Sequence, residues 1–151
     1  MSENKMSENN LRDKLKLAYT IFCEDVRIEV GGKLSLMGVF QNIAVGQLPV
    51  TLIKFAVVHH WEGEGAYLSE VRVLTPDRQQ FVVASQPSPF QMEAGGASDG
   101  VSLFVNVTFY EPGRYWVQTL VDSTLFDERP LVVTDMSAAP PPADDTSEAV
   151  N

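Results

Sequence analysis

One cysteine, two histidines, few basic residues and no membrane-length apolar run leave this 151-residue chain without what several large functional classes require. Cys23 alone cannot close an intramolecular disulfide, nor supply the paired cysteines of a zinc site. His59 and His60 are adjacent, and adjacent strand residues point to opposite faces, so the pair does not grip one metal. Lys16 to Cys23 is far shorter than the roughly 18 apolar residues of a span and runs straight into Glu24 and Asp25. Lys and Arg number 11 against 20 Asp and Glu, a net charge of −9. Such a balance repels nucleic acid and anionic membrane surfaces, both of which draw on clustered basic residues, so neither is an expected partner. The single basic segment, Arg12-Asp13-Lys14-Leu15-Lys16, is half compensated by Asp13 and Glu8.

Catalytic motifs are equally scarce. There is no Gly-Lys-Ser or Gly-Lys-Thr for a phosphate loop and no Gly-x-Ser-x-Gly elbow. Gly63-x-Gly65 lacks the third glycine of a dinucleotide loop. The spaced acids of a calcium loop are missing as well, and Glu24 and Asp25, as successive strand residues, diverge. Asn106-Val107-Thr108 fits the glycosylation rule but reads better as outward polar strand positions. The expectation is a protein that is not an enzyme, with no cofactor and no metal. Ser2, Glu3, Asn4, Ser7, Glu8 and Asn9 stand where a secretion leader would carry basic and then apolar residues, so a cytoplasmic, bacterial-type chain is expected.

What is present is a period of two. Leu15, Leu17, Tyr19, Ile21 and Cys23 alternate with polar or small neighbours, and Gly31-Gly32 turns the chain into Lys33–Phe40. Phe55, Val57, His59 and Trp61 share one strand face, and Val71 and Val73 alternate before the turn Thr75-Pro76-Asp77-Arg78. Phe81–Ser85 returns and stops at Pro87-Ser88-Pro89. Val101, Leu103, Val105, Val107 and Phe109 form the cleanest alternation, Glu111-Pro112-Gly113 turns it, and Tyr115–Val121 and Leu131–Val133 follow. Glu62–Tyr67 reads as a solvated hairpin loop and Ala94–Gly100 as a mobile one, and Asn10–Leu17 reads as strand in preference to helix. About eight strands with Gly and Pro turns predict an all-β fold, a single antiparallel sandwich, with a barrel as the runner-up. Residues 1–14 form a polar tail in which Met1-Ser2-Glu3-Asn4 recurs as Met6-Ser7-Glu8-Asn9. Residues 15–135 form the domain. Residues 136–151, with Pro140-Pro141-Pro142, read as a disordered tail rather than a docking motif.

Phe22-Cys23-Glu24-Asp25-Val26, Gly31–Phe40 and Leu48-Pro49 together resemble an uncharacterised bacterial family of small immunoglobulin-like β proteins. Glu111–Val117, with Val121-Asp122 and Arg129–Val133, is similar to the last two strands of many immunoglobulin-like sandwiches. The resemblance covers roughly residues 19–134 and implies an immunoglobulin-like sandwich, with no functional residues to carry over. A Pro-Gly turn feeding Tyr115 suits a buried ring whose hydroxyl bonds back to the corner.

Two candidate sites remain. If Val101, Val105, Phe109, Tyr115 and Val117 face the core, then Phe104 and Trp116 face outward beside Arg114 and Gln118, and exposed aromatics with Arg suit an interface centre. This is the expected surface of a non-enzymatic interaction or assembly module, its partner another protein or a second copy in a homodimer. The rival is a ligand-binding or enzymatic pocket near His59, His60, Trp61 and Tyr67. Cys23, beside two acids, reads as a small buried thiol.

Overall fold

The computed structural model describes residues 11–138. The polar repeat at the start and the proline tract lie outside the described residues. Leu11–Lys14 make a short helical turn. Eight strands follow: β1 (Leu15–Ile28), β2 (Leu34–Phe40), β3 (Asn42–Val45), β4 (Val50–Leu74), β5 (Phe81–Ala84), β6 (Ser88–Phe109), β7 (Gly113–Val121) and β8 (Thr124–Asp135). A 3-10 turn, Met136–Ala138, comes after them.

The fold is mostly β, as the alternation predicts. The strands form one strongly curled, half-barrel sheet in the order β2-β1-β4-β7-β8-β3, with β5 and β6 also on β4. Every pair is antiparallel except β3 with β8, which run parallel, so the sheet is mixed where a wholly antiparallel one is expected.

The 25-residue β4 organises the whole. Its first half pairs with β1 and the second half of β6, and its second half with β5, β7 and the start of β6. The irregularity between Gly63 and Gly65 marks the bend between them. Curling brings Phe55 and Val57 of the first half opposite Val71 and Val73 of the second, and Phe22, Phe104, Val107, Phe109, Tyr115, Val117, Leu131 and Val133 complete that core. A second cluster at the bend joins Leu15, Trp61, Met92, Val121 and Phe126.

Three local expectations change. Glu62–Tyr67 is not a hairpin loop but the middle of β4. Ala94–Gly100 lies within β6, where Gly96, Ala97, Ser98, Asp99 and Gly100 pair with Gly63 back to His59. The glycine-rich run is strand there because each of its residues from Gly96 to Gly100 has a partner on β4. Asn10–Leu17 is not strand throughout, since the helical turn Leu11–Lys14 precedes β1, whereas β5 does stop at Ala84, ahead of Pro87-Ser88-Pro89, and the next strand starts at Ser88.

The corner before β7 is built as expected. Tyr115 is 2 % exposed, its ring packs edge-on against Phe109, and its hydroxyl donates to the Glu111 carbonyl at 2.7 Å. Tyr115→Phe keeps the ring but leaves that carbonyl unmet, and is expected to cost about 1 kcal/mol, read by urea unfolding at an unchanged m-value.

Candidate functional site

The strand pairings sort the expected site residues onto different faces. Phe104 does not point outward: it is 4 % exposed and packs on Phe55, ring centroids 5.3 Å apart. Asn106, at φ 54, is the reason, because a left-handed residue inside the strand breaks the alternation. Val107 and Phe109 stay inside, while Val101, Leu103 and Val105 turn out to solvent, the reverse of the expected facing.

Trp116, Arg114 and Gln118 do share the outer face of β7, away from Phe104. Arg78 lies over the Trp116 ring at 3.9 Å, and Arg114 at 5.8 Å. Gln118 is buried and bridges two ions: it accepts from Arg72 Nε at 2.8 Å and donates to Glu128 Oε2 at 2.7 Å. Arg78 closes the ladder with two bonds to the same carboxylate, 2.8 and 3.2 Å. Those bonds, the Arg78 pair first, hold the Glu128 carboxyl below its ordinary value. The polar capacity of this face is thus largely satisfied within the protein.

The four residues of the expected pocket are divided as well. His59 is buried, and its Nε2 meets Thr119 Oγ1 at 2.8 Å. Burial lowers its pKa to about 4, so the ring is neutral near pH 7. Trp61 is buried beside it and stacks on His59 and Phe90, and the Tyr67 ring lies tilted against Phe90, centroids 5.4 Å apart. These rings fill the space between them. His60 faces the opposite way, stacked on Tyr19 with centroids 4.9 Å apart, its Nδ1 2.6 Å from Asp99 Oδ1. The alternation of faces along β4 separates the adjacent histidines as expected.

A feature that sequence reasoning missed is the outer face of β2, β1, β4 and β6. One cross-strand row runs Val39, Cys23, Ala56, Leu103, and the next runs Ile21, Val58, Val101. Cys23, Ala56 and Val58 are buried beneath their longer neighbours. Burial also pushes the Cys23 thiol up, so it is an inert small apolar group there. Val39, Val101, Leu103 and Val105 stand 41–58 % exposed around them, with Tyr19 at 43 %. The charged groups beside them are paired within the protein: Asp25 with Lys54 at 2.9 Å, His60 with Asp99 at 2.6 Å and Lys16 with Glu62 at 3.9 Å.

A model of a family of unknown function (DUF6941) matches residues 18–134. The chain belongs to that family. No curated protein matches it. Among solved structures, the alkylpurine DNA glycosylase AlkC of Pseudomonas fluorescens, bound to DNA containing an abasic site analogue, is similar over 80 % of this chain, at 10 % identity and a TM-score of 0.51. A β-glucosidase from Listeria innocua in complex with glucose also aligns over 80 % of this chain, at 11 % identity and a TM-score of 0.46. This chain spans 30 % of the glycosylase chain and 16 % of the glucosidase chain. The likeness to the glycosylase is one of fold.

Proposed function

We propose that this member of the family is a non-enzymatic interaction or assembly module of the cytoplasm, docking other protein through the outer apolar face of β2, β1, β4 and β6. The carrying observation is that face itself, with Val39, Val101, Leu103 and Val105 exposed beside the buried Cys23, Ala56 and Val58, which Ile21, Val26, Leu34 and Leu36 cover. Aliphatic side chains that water must hydrate singly gain about 25 cal/mol per Å² when a partner covers them. The same proposal treats the curled sheet as immunoglobulin-like, with the bent β4 serving as two successive strands, one in each layer. Supporting it are the facing core residues of the two halves of β4 and the Tyr115 corner bond. The rival pocket reading is weakened by the ring packing of His59, Trp61, Phe90 and Tyr67.

Site-specific photo-crosslinking in the native cell tests the surface. A photoreactive residue at Val101 is expected to trap protein, whereas one at Arg114, beside the self-satisfied Trp116 face, is not. Trapping at Arg114 alone would move the site to that face. Trapping at neither position, in a protein that carries a small molecule when isolated, would replace the module by the pocket reading.

A further inference from the structure

We infer that the face of Trp116 is the seat of this chain's own C-terminal segment, residues 139–151, its prolines set on the aromatic row and its acids on the arginines beside it. The inference concerns a different face from the docking surface above and goes beyond that reading. One cross-strand row there runs Phe81, Leu74, Trp116, Pro130 across β5, β4, β7 and β8. Phe81 is 61 % exposed, and an arginine stands over each ring, Arg72 at 5.2 Å from the Phe81 centroid and Arg78 at 3.9 Å from that of Trp116. Gln118, Glu128 and Arg78 satisfy one another. Arg72 and Arg114 are left over: among the described residues neither forms an ion pair with a carboxylate. Glu70, the acid of β4 on this face, pairs with Leu120, on the far side of Arg72 from Trp116.

The sequence after Ala138 carries the complement of that face. Pro140-Pro141-Pro142 is followed by Ala143-Asp144-Asp145 and then Glu148, with no Lys or Arg up to Asn151. Consecutive prolines favour the polyproline II form, which aromatic surfaces take up at little entropic cost, and arginine makes charge-assisted bonds to carboxylates. In a chain of net charge −9 most surfaces repel such a segment, whereas here Arg72, Arg78 and Arg114 stand against Glu70 and Glu128. Reach agrees with chemistry. The end of β8 lies beside the start of β7, Val133 pairing with Gly113 and Val132 with Arg114, so the chain leaves Ala138 at the Arg114 end of the face. From Asp135 back to Pro130 is about 17 Å along β8, and residues 139–151 extend to about 40 Å.

The two tryptophans make the test direct, since Trp61 is buried in the cluster at the bend and serves as an internal reference for Trp116. In proton–nitrogen correlation spectra of the full chain, Asp144→Lys combined with Asp145→Lys is expected to shift the Trp116 indole peak and the amides of Arg114–Gln118, and to leave the Trp61 peak in place. High salt should move the parent's Trp116 peak towards its position in the variant and leave the variant's own peak where it is, because salt screens attraction between exposed charges. Both substitutions lie outside the strands, so the remaining peaks are expected to keep their positions. A Trp116 peak that ignores the charge reversal overturns the inference and leaves docking at Val101 as it stands. A photoreactive residue at Arg114 that traps another protein also overturns it, since a separate partner would then occupy the face.

Discussion

Gly63→Ala is expected to destabilise the protein by on the order of 3 kcal/mol or more, lowering the melting temperature by roughly 10 °C. Gly63 sits at the bend of β4 with φ 141, and a Cβ there would lie 1.9 Å from the Lys14 carbonyl oxygen. The obstacle is backbone, so no rotamer relieves it. Gly63 pairs with Leu15 of β1 on one side and Gly96 of β6 on the other, so any retreat opens two ladders at once and disturbs the cluster of Leu15, Trp61 and Phe126. Gly46, where an added Cβ meets nothing within 4 Å, is the control: Gly46→Ala is expected to change stability by less than about 0.5 kcal/mol. Thermal melts of the two variants beside the parent check both numbers, and equal melting temperatures would show that the bend tolerates a side chain.

Acid should unfold the protein earlier than its carboxylates alone dictate. His59 has a native pKa of about 4, lowered by burial, with Asp127 nearby opposing the shift and Arg129 adding to it. In the unfolded chain a histidine titrates near 6.5, so between those values the unfolded state binds the extra proton. Stability from the neutral ring is therefore complete above about pH 6.5 and falls as pH drops towards 4, by about 3 kcal/mol in all. Asp25, Asp77 and Glu128, all held below their ordinary values by their partners, lose their contributions only at lower pH, which leaves the upper part of the window to His59. Urea midpoints between about pH 7 and about pH 5 should thus decline in the parent and stay level in His59→Gln, whose amide can still reach Thr119. A parallel decline in both would assign the slope to another group.

The period-two pattern made the strands legible, and Tyr115 was legible because its bond spans only four residues. The long strand was not. Gly63 and Gly65 among glutamates carry the local chemistry of a loop, and only partners distant in sequence, Leu15 on one side and Gly96 on the other, hold them extended. β3 escaped notice for a related reason: its four residues pair in parallel with Val132–Asp135, about ninety residues away. The facing of β6 turned on the left-handed Asn106, which leaves no trace in hydrophobicity, so Phe104 read as exposed and Leu103 as buried. The outer apolar face needs the register of four strands before its rows exist. Trp116 and Arg114 neighbour each other on β7, but the arginine that covers the ring, Arg78, comes from the turn after β4, out of reach of any local pattern.

Crosslinking in the native cell from a series of photoreactive positions, Val39, Val101 and Leu103 on the outer face and Arg114 on the face of Trp116, tests the docking reading most directly. The three outer-face positions should trap the same protein and Arg114 no other protein. Trapping at Arg114 with none at Val39, Val101 or Leu103 would contradict the account.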